Sequence, residues 1–526
     1  MLGKAKREEI VRSIVENKKL IVKHGFDAID ISEGIDWHYE HSHNTKTYSV
    51  YLHAIEYVGY LVLAGKEHNN DNFYEIAKNI ILSWEKQDSE ESAEYSWNEH
   101  AVSYRLNNLM LFQDSVPEEY KLDKKLFSEI LIKHCAFLAD DNNYRPNNHG
   151  ILMDESLFKA SFYMTNKIYQ ELYKSIALNR VKLALYRDFS RKGLHSENSP
   201  EYHRMMMIVL NRFNSLIQEK GLTLTNDLNH KLKKAKRIQR ILLKPDMTYP
   251  LIGDTSLKVE DKVTKLYEDY YDYEAGIAIF QKENKKSRRN SDFLYFKCGY
   301  LSKTHKHFDD LSLSLVLDGN DVLIDSGKYN YVKSDKVRQF MISPKAHSVP
   351  LILNKSYFPS SPIVDQYNLG IDFVEIDENY KKVRGFNNLY EGINLLRTII
   401  YTKYGHVFIY DEVISETDEI LVQNFNLHYK AIIDETSNSK VKLDIGNQSY
   451  IIKTFNNDAK ISETDGYFSE KFSVYEKNTH IEIENAQGQN ESLILICNEN
   501  IIPQEVTLLN KKIVFKFEDE NLEIDL

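Results

Sequence analysis

The hydrophobic period of the chain changes once, near residue 270, and that change limits the architectures open to it. Before it the apolar residues recur at helical spacing. Ile10, Val11, Ile14, Val15 and Ile21 fall near one face. Tyr51, Leu52, Ile55, Val58, Leu61 and Val62 repeat the pattern, with Gly65 as the predicted C-cap, and Leu126, Ile130, Leu131, Phe137 and Leu138 follow. Between Asp227 and Leu243 an apolar side (Leu228, Leu232, Ala235, Ile238, Leu242) opposes a basic one that includes Lys231, Lys234 and Arg237. We read that basic side as the solvated face of a packed helix. After residue 270 the period is two. Leu311, Leu313, Leu315 and Leu317 alternate with Ser312, Ser314 and Val316, Asp318 to Asp321 supply a turn, and Val322 opens the return strand. His406 to Val413, Glu491 to Cys497 and the alternation Ile513, Phe515, Phe517 have the same character. Helices followed by strands predict an α+β multidomain chain, with a helical domain over 1–270 and an antiparallel β domain over 271–526.

Composition narrows the function classes. Lys+Arg 67 against Asp+Glu 78 leaves a formal charge of −11, a poor basis for general nucleic-acid binding. A local basic cleft for a polyanion is still compatible with it. The three cysteines, Cys135, Cys298 and Cys497, are odd in number and widely spaced, so neither a disulfide framework nor a CxxC metal pattern is present. No apolar core follows the basic N-terminal residues and no apolar run is long enough to span a bilayer, which predicts a cytoplasmic protein. A trimmed secretory or periplasmic sequence is the alternative. Oligomeric state is not legible.

Chemistry-bearing residues cluster in a few places. Arg145-Pro-Asn-Asn-His-Gly150 puts Asn147, Asn148 and His149 in a loop or helix start, where side chains can point into a cleft and where an N-cap asparagine is the simpler role. Ser199-Pro-Glu-Tyr-His203 reads as a helix start carrying Tyr202 and His203. In Thr304-His-Lys-His-Phe-Asp-Asp-Leu311 a strand would put His305, His307 and Asp309 on one face. With Asp325 on the return strand and His347 beyond it, two imidazoles and a carboxylate could form a three-donor metal site, with a hydrogen-bonded histidine pair as the alternative. Trp97-Asn-Glu-His100 with Arg105 offers a ring to stack on a sugar and a cation for an acidic group, or a buried tryptophan with polar neighbours.

Taken in order, these blocks resemble the heparinase II/III-like polysaccharide lyases. The resemblance is carried by W-N-E-H-A-V-S-Y-R from Trp97, N-N-H-G from Asn147, S-P-E-Y-H from Ser199, P-L-I-G-D-T from Pro250, H-K-H-F-D-D-L-S-L from His305, D-S-G-K-Y-N-Y from Asp325 and A-H-S from Ala346. It implies an incomplete (α/α) toroid followed by an antiparallel β-sandwich domain, and β-elimination on a uronate-containing, anionic polysaccharide. Asn148 and His149 would neutralise the uronate carboxylate, while Tyr202 and His305 would move protons in a cleft between the domains. Trp97, His100, Arg105, Asn147, His203 and Tyr329 would contact substrate. His307, Asp325 and His347 would hold a divalent metal, zinc by its donor set, in a structural role, with Asp309 orienting a histidine. Lys306, Ser326 and Ser348 depart from the family pattern, and Lys306 is expected to influence substrate preference. A metal-dependent glycan hydrolase and a non-catalytic carbohydrate-binding or assembly protein of capsule biosynthesis are the competing readings.

Overall fold

The computed structural model describes residues 3–23, 26–42 and 44–526; Met1 and Leu2 of the N-terminal run lie outside them. The chain forms two compact units, residues 1–187 with 209–224, and residues 188–208 with 225–526.

The first unit is helical. Glu56–His68 packs on Asn72–Glu90 and on Glu99–Ser115. Glu99–Ser115 packs in turn on Lys124–Ala139 and Asn148–Ser161, and the latter on Lys167–Arg187. Together these helices bury Leu61, Trp84, Leu109 and Phe112. The apolar run around residue 55 is two helices, Thr45–Ala54 and Glu56–His68, broken where Ile55 takes φ 44°. Gly65 is not the cap. It lies inside the second helix, where Tyr74 leaves no room for a Cβ, and the helix ends at Asn69 with φ 49°.

The second unit carries the sheets, with the start of the helix Pro200–Glu219 and the helix Asn226–Ile241. The latter buries Leu228, Leu232, Ala235 and Ile238, and its basic residues face outward, Arg237 pairing with Glu268. The strands build three larger antiparallel sheets, of five (Tyr270–Asp272, Ile277–Lys282, Asp292–Lys297, Ser312–Leu317, Asn320–Leu323), eight and four strands. The strands share a core that includes Phe296, Leu313, Leu315, Ile399 and Phe425. Ser312–Leu317 is buried along its whole length, so the Leu/Ser alternation does not mark a wet face. Its hairpin turns on Asp318 (φ 51°) and Gly319 (φ 81°), and the return strand begins at Asn320. A Cβ on Gly319 would sit 2.2 Å from the Arg289 carbonyl oxygen. The final strands, including Lys512–Phe517, form a three-stranded sheet that seals Ile513 and Phe515 against Phe408.

Candidate active site

In the second unit the chain packs four separate segments around one carboxylate. The helix Pro200–Glu219 starts as its sequence suggests, and Ser199 Oγ bonds Thr255 Oγ1 at 2.7 Å, tying the helix start to the segment of Asp254. Gly253 takes φ +55°, and a Cβ there would lie 2.5 Å from the Asn198 carbonyl oxygen and 2.8 Å from that of His305. Only glycine lets the backbone approach so closely. Residues 301–311 form a loop rather than a strand; His305 itself has φ 58°, and the strand begins at Ser312. Asn198 holds the loop by donating from Nδ2 to the carbonyls of Ser302 (2.6 Å) and Thr304 (3.0 Å).

Tyr202 and His305 meet face to face. Their ring centroids are 3.8 Å apart at 22°. The Tyr202 hydroxyl lies 3.0 Å from the Tyr331 hydroxyl and accepts from Lys328 Nζ at 3.4 Å. Burial raises the Tyr202 phenol to about 12; the Tyr331 hydrogen bond opposes the rise and the charges of Asp254, Glu197 and Glu201 add to it. His305 Nδ1 is 2.9 Å from Asp254 Oδ2, and its Nε2 is 3.6 Å from Glu197 Oε2, beyond hydrogen-bonding distance. Burial pushes the Asp254 carboxyl up, but hydrogen bonds from His305 and His307 and the pairing with Arg338 prevail and hold it well below the usual carboxylate range.

His307, Asp325 and His347 come together as the sequence suggests. All three are buried, with one donor atom from each within 4.8 Å of the others. Asn424 and Asn426 fix the last histidine's loop by donating to the carbonyls of His347 (2.7 Å) and Ala346 (2.9 Å). The donor set fits a metal. His347 Nε2 is buried without a hydrogen-bond partner, and His307 Nδ1 meets only the Ser326 hydroxyl at 3.4 Å, which directs its proton to the Met341 carbonyl at 2.8 Å. Burial lowers the His307 imidazole, keeping it neutral as a ligand must be, with Asp254 opposing.

In the first unit Asn147 caps the helix Asn148–Ser161, its Oδ1 accepting from the His149 N–H at 2.9 Å. Asn148 and His149 stand half-buried at the first turn. His149 Nδ1 lies 3.1 Å from Glu99 Oε1, and Glu99 Oε2 accepts from Asn98 Nδ2 at 2.8 Å. Burial raises Glu99, but hydrogen bonds from His149 and a backbone N–H, with the charges of His149 and Arg145, together outweigh it and leave the carboxyl below its ordinary value. His100 stacks on Tyr104 at 4.4 Å, and burial lowers its imidazole to about 4.

Several expected contacts are corrected. Arg105 is fully buried; it donates to His134 Nε2 and to the carbonyls of His53 and Ser96, and its guanidinium lies 4.0 Å from the Trp84 ring. It has no surface to offer a substrate. Trp97 is half-buried; it donates to Asp88 Oδ1 at 2.8 Å and packs on His134 and Phe137. His203 is fully buried between the Ala235 carbonyl (2.9 Å) and the His195 N–H (3.1 Å). Asp309 orients no histidine by a hydrogen bond; its Oδ1 takes Lys297 and Lys306 at 2.7 and 2.8 Å. Lys306 also reaches Asp310 at 2.8 Å and is buried, so it faces inward rather than toward a ligand. Tyr329 sits edge-on to Tyr475 at 5.1 Å, on the loop that carries Lys328 and Tyr331. Asp254, Arg338, Lys328, Tyr331 and Glu99 were missed as site residues, although Asp254, Lys328, Tyr331 and Glu99 lie inside the quoted blocks.

The family profile "Heparinase II/III N-terminus" matches residues 3–277, and "Heparinase II/III-like, C-terminal" matches residues 273–502. Among solved structures, a heparinase III shares 15% identity and a TM-score of 0.80, covering 100% of this chain and 91% of that one. A heparinase III with methylated lysines shares 14% identity at a TM-score of 0.81, with 100% and 91% coverage. The heparan sulfate lyase HepC from Pedobacter heparinus shares 14% identity at 0.76, with 100% and 89% coverage. At these identities the likeness is one of fold. No curated protein matches the chain. Among the described residues no helix is long and apolar enough to cross a membrane.

Proposed function

The chain belongs to the heparinase II/III-like family of polysaccharide lyases, and we propose that it cleaves a uronate-containing, anionic polysaccharide by β-elimination. The observation that carries this reading is the stacked pair of Tyr202 and His305, with a lysine at the phenol and a carboxylate behind the imidazole. In the elimination a base removes the C5 proton, the electrons of that bond form the C4=C5 double bond, and the C4–O bond breaks. The departing oxygen then takes a proton. With a phenol raised to about 12, Tyr202 holds its proton at neutral pH and is suited to supply it to the leaving oxygen. His305 Nε2, 3.6 Å from Glu197 Oε2 and outside hydrogen-bonding distance, is suited to take the C5 proton. Lys328 beside the hydroxyl stabilises the tyrosinate left after transfer.

The C5 proton is weakly acidic until the adjacent carboxylate is neutralised. Asn148 and His149 keep the role that the resemblance gives them, as donors to that carboxylate. With its Nδ1–H on the Glu99 carboxylate, a doubly protonated His149 would present Nε2–H to a second anion. His307, Asp325 and His347 would hold zinc, for which two imidazoles and one carboxylate are suitable donors. Bound there, the ion would cross-link the loops of residues 305–311, 325–331 and 344–348 and supply no nucleophile, which elimination does not need.

The test is a panel of uronate polysaccharides, beginning with heparan sulfate. Elimination leaves an unsaturated uronate that absorbs in the ultraviolet, whereas hydrolysis leaves none. Chain shortening without that absorbance would overturn the lyase reading in favour of hydrolysis. Binding without any cleavage would favour a carbohydrate-binding protein.

A further inference from the structure

We propose that Asp254 is a positioning residue that sets the tautomers of two histidines at once, His305 of the proton-transfer pair and His307 of the metal cluster, and thereby couples turnover to metal retention. The inference rests on the role given to His305 above. Asp254 is buried, and both of its oxygens are used twice. Oδ1 lies 3.1 Å from His307 Nε2 and 2.6 Å from Arg338 Nη1, and Oδ2 lies 2.9 Å from His305 Nδ1 and 3.2 Å from Arg338 Nη2.

An ionised carboxylate accepts hydrogen bonds and donates none. Forked pairing with Arg338 keeps Asp254 ionised. Each imidazole nitrogen facing it must therefore carry a hydrogen. His305 is left with its lone pair on Nε2, the nitrogen a base needs, and His307 with its lone pair on Nδ1, the nitrogen that can take a metal. A simple ion pair with Arg338 would not require both histidine rings to converge on the same group. The convergence is built into the backbone, because a Cβ at Gly253 would collide with the carbonyl oxygen of His305.

Removing the charge while keeping the shape tests this. In Asp254→Asn the amide nitrogen is a donor and faces one of the two histidines, which must then present a lone pair to it. Zinc affinity, read by chelator competition, should weaken about 10–100-fold. The kcat should fall at least about tenfold with KM little changed, since substrate contacts are untouched. Asp254→Glu should recover part of both losses. On the metal-free parent, side-chain nitrogen NMR of histidine-labelled protein, assigned with His305→Ala and His307→Ala, should find Nδ1–H at His305 and Nε2–H at His307. The opposite tautomers, or an Asn variant that keeps both zinc affinity and kcat within about twofold, would overturn the proposal. If no glycan is cleaved, the lyase reading fails while the NMR and zinc competition still judge Asp254. If the Asn variant does not fold, the parent spectrum and the Glu variant judge it.

Discussion

Replacing Tyr202 by Phe removes one oxygen and leaves the ring. The stack on His305 at 3.8 Å persists, and the folded state loses a hydrogen bond to Tyr331 and a longer contact from Lys328. That costs about 1 kcal/mol of stability, small enough to leave the protein folded and binding glycan. Turnover should respond far more. With its phenol at about 12, only about one Tyr202 in 10⁵ is ionised at pH 7, so the hydroxyl enters as an acid. Losing such a group lowers kcat by about 10²–10⁴-fold, a barrier increase of about 3–5 kcal/mol. The assay is the ultraviolet absorbance of unsaturated product, with binding measured separately. An oligosaccharide whose C4 leaving group is an aryl oxide needs no proton on departure, so it should restore much of the rate to Tyr202→Phe and none to His305→Ala. Near-parental turnover by Tyr202→Phe on the natural linkage would refute the reasoning, as would equal rescue of both variants.

Elemental analysis of untreated protein should find about one zinc per chain, lost in His307→Ala and His347→Ala; a metal-free parent would refute the site. His203, His406 and His480 are buried and His100 is half-buried; each is lowered from 6.5 to about 4 chiefly by removal from water. Between those values the unfolded chain binds the extra proton and the folded chain does not, so stability is full above pH 6.5 and falls toward pH 4 by at most about 3 kcal/mol per histidine; denaturant midpoints that stay flat over that window would contradict this. Arg105→Met should lower the thermal midpoint, because His134 and two buried carbonyls lose their donor at about 1–3 kcal/mol each. A raised KM with unchanged stability would return Arg105 to the substrate.

Much of the architecture was legible because hydrophobic periodicity records which side of an element is buried. The helices, the Ser312–Leu317 hairpin and the late strands follow from that record. The ordered blocks carried the family and, through that resemblance, the metal triad that the fold brings together. Spacing misled where the backbone was not regular: a separation of two between His305 and His307 fits a strand, but His305 lies in a loop at φ 58°. Charge type misled too, since Arg105 and Lys306 read as ligand-facing cations and are buried among internal partners. Asp254 stands 51 residues before His305, and nothing local announces that Gly253 will press it against both histidines. The sequence by itself determined the period, the elements and the residue types available for chemistry. Which side chains face each other was decided only by tertiary packing, because a hydrogen bond depends on atoms brought within about 3 Å by segments far apart along the chain.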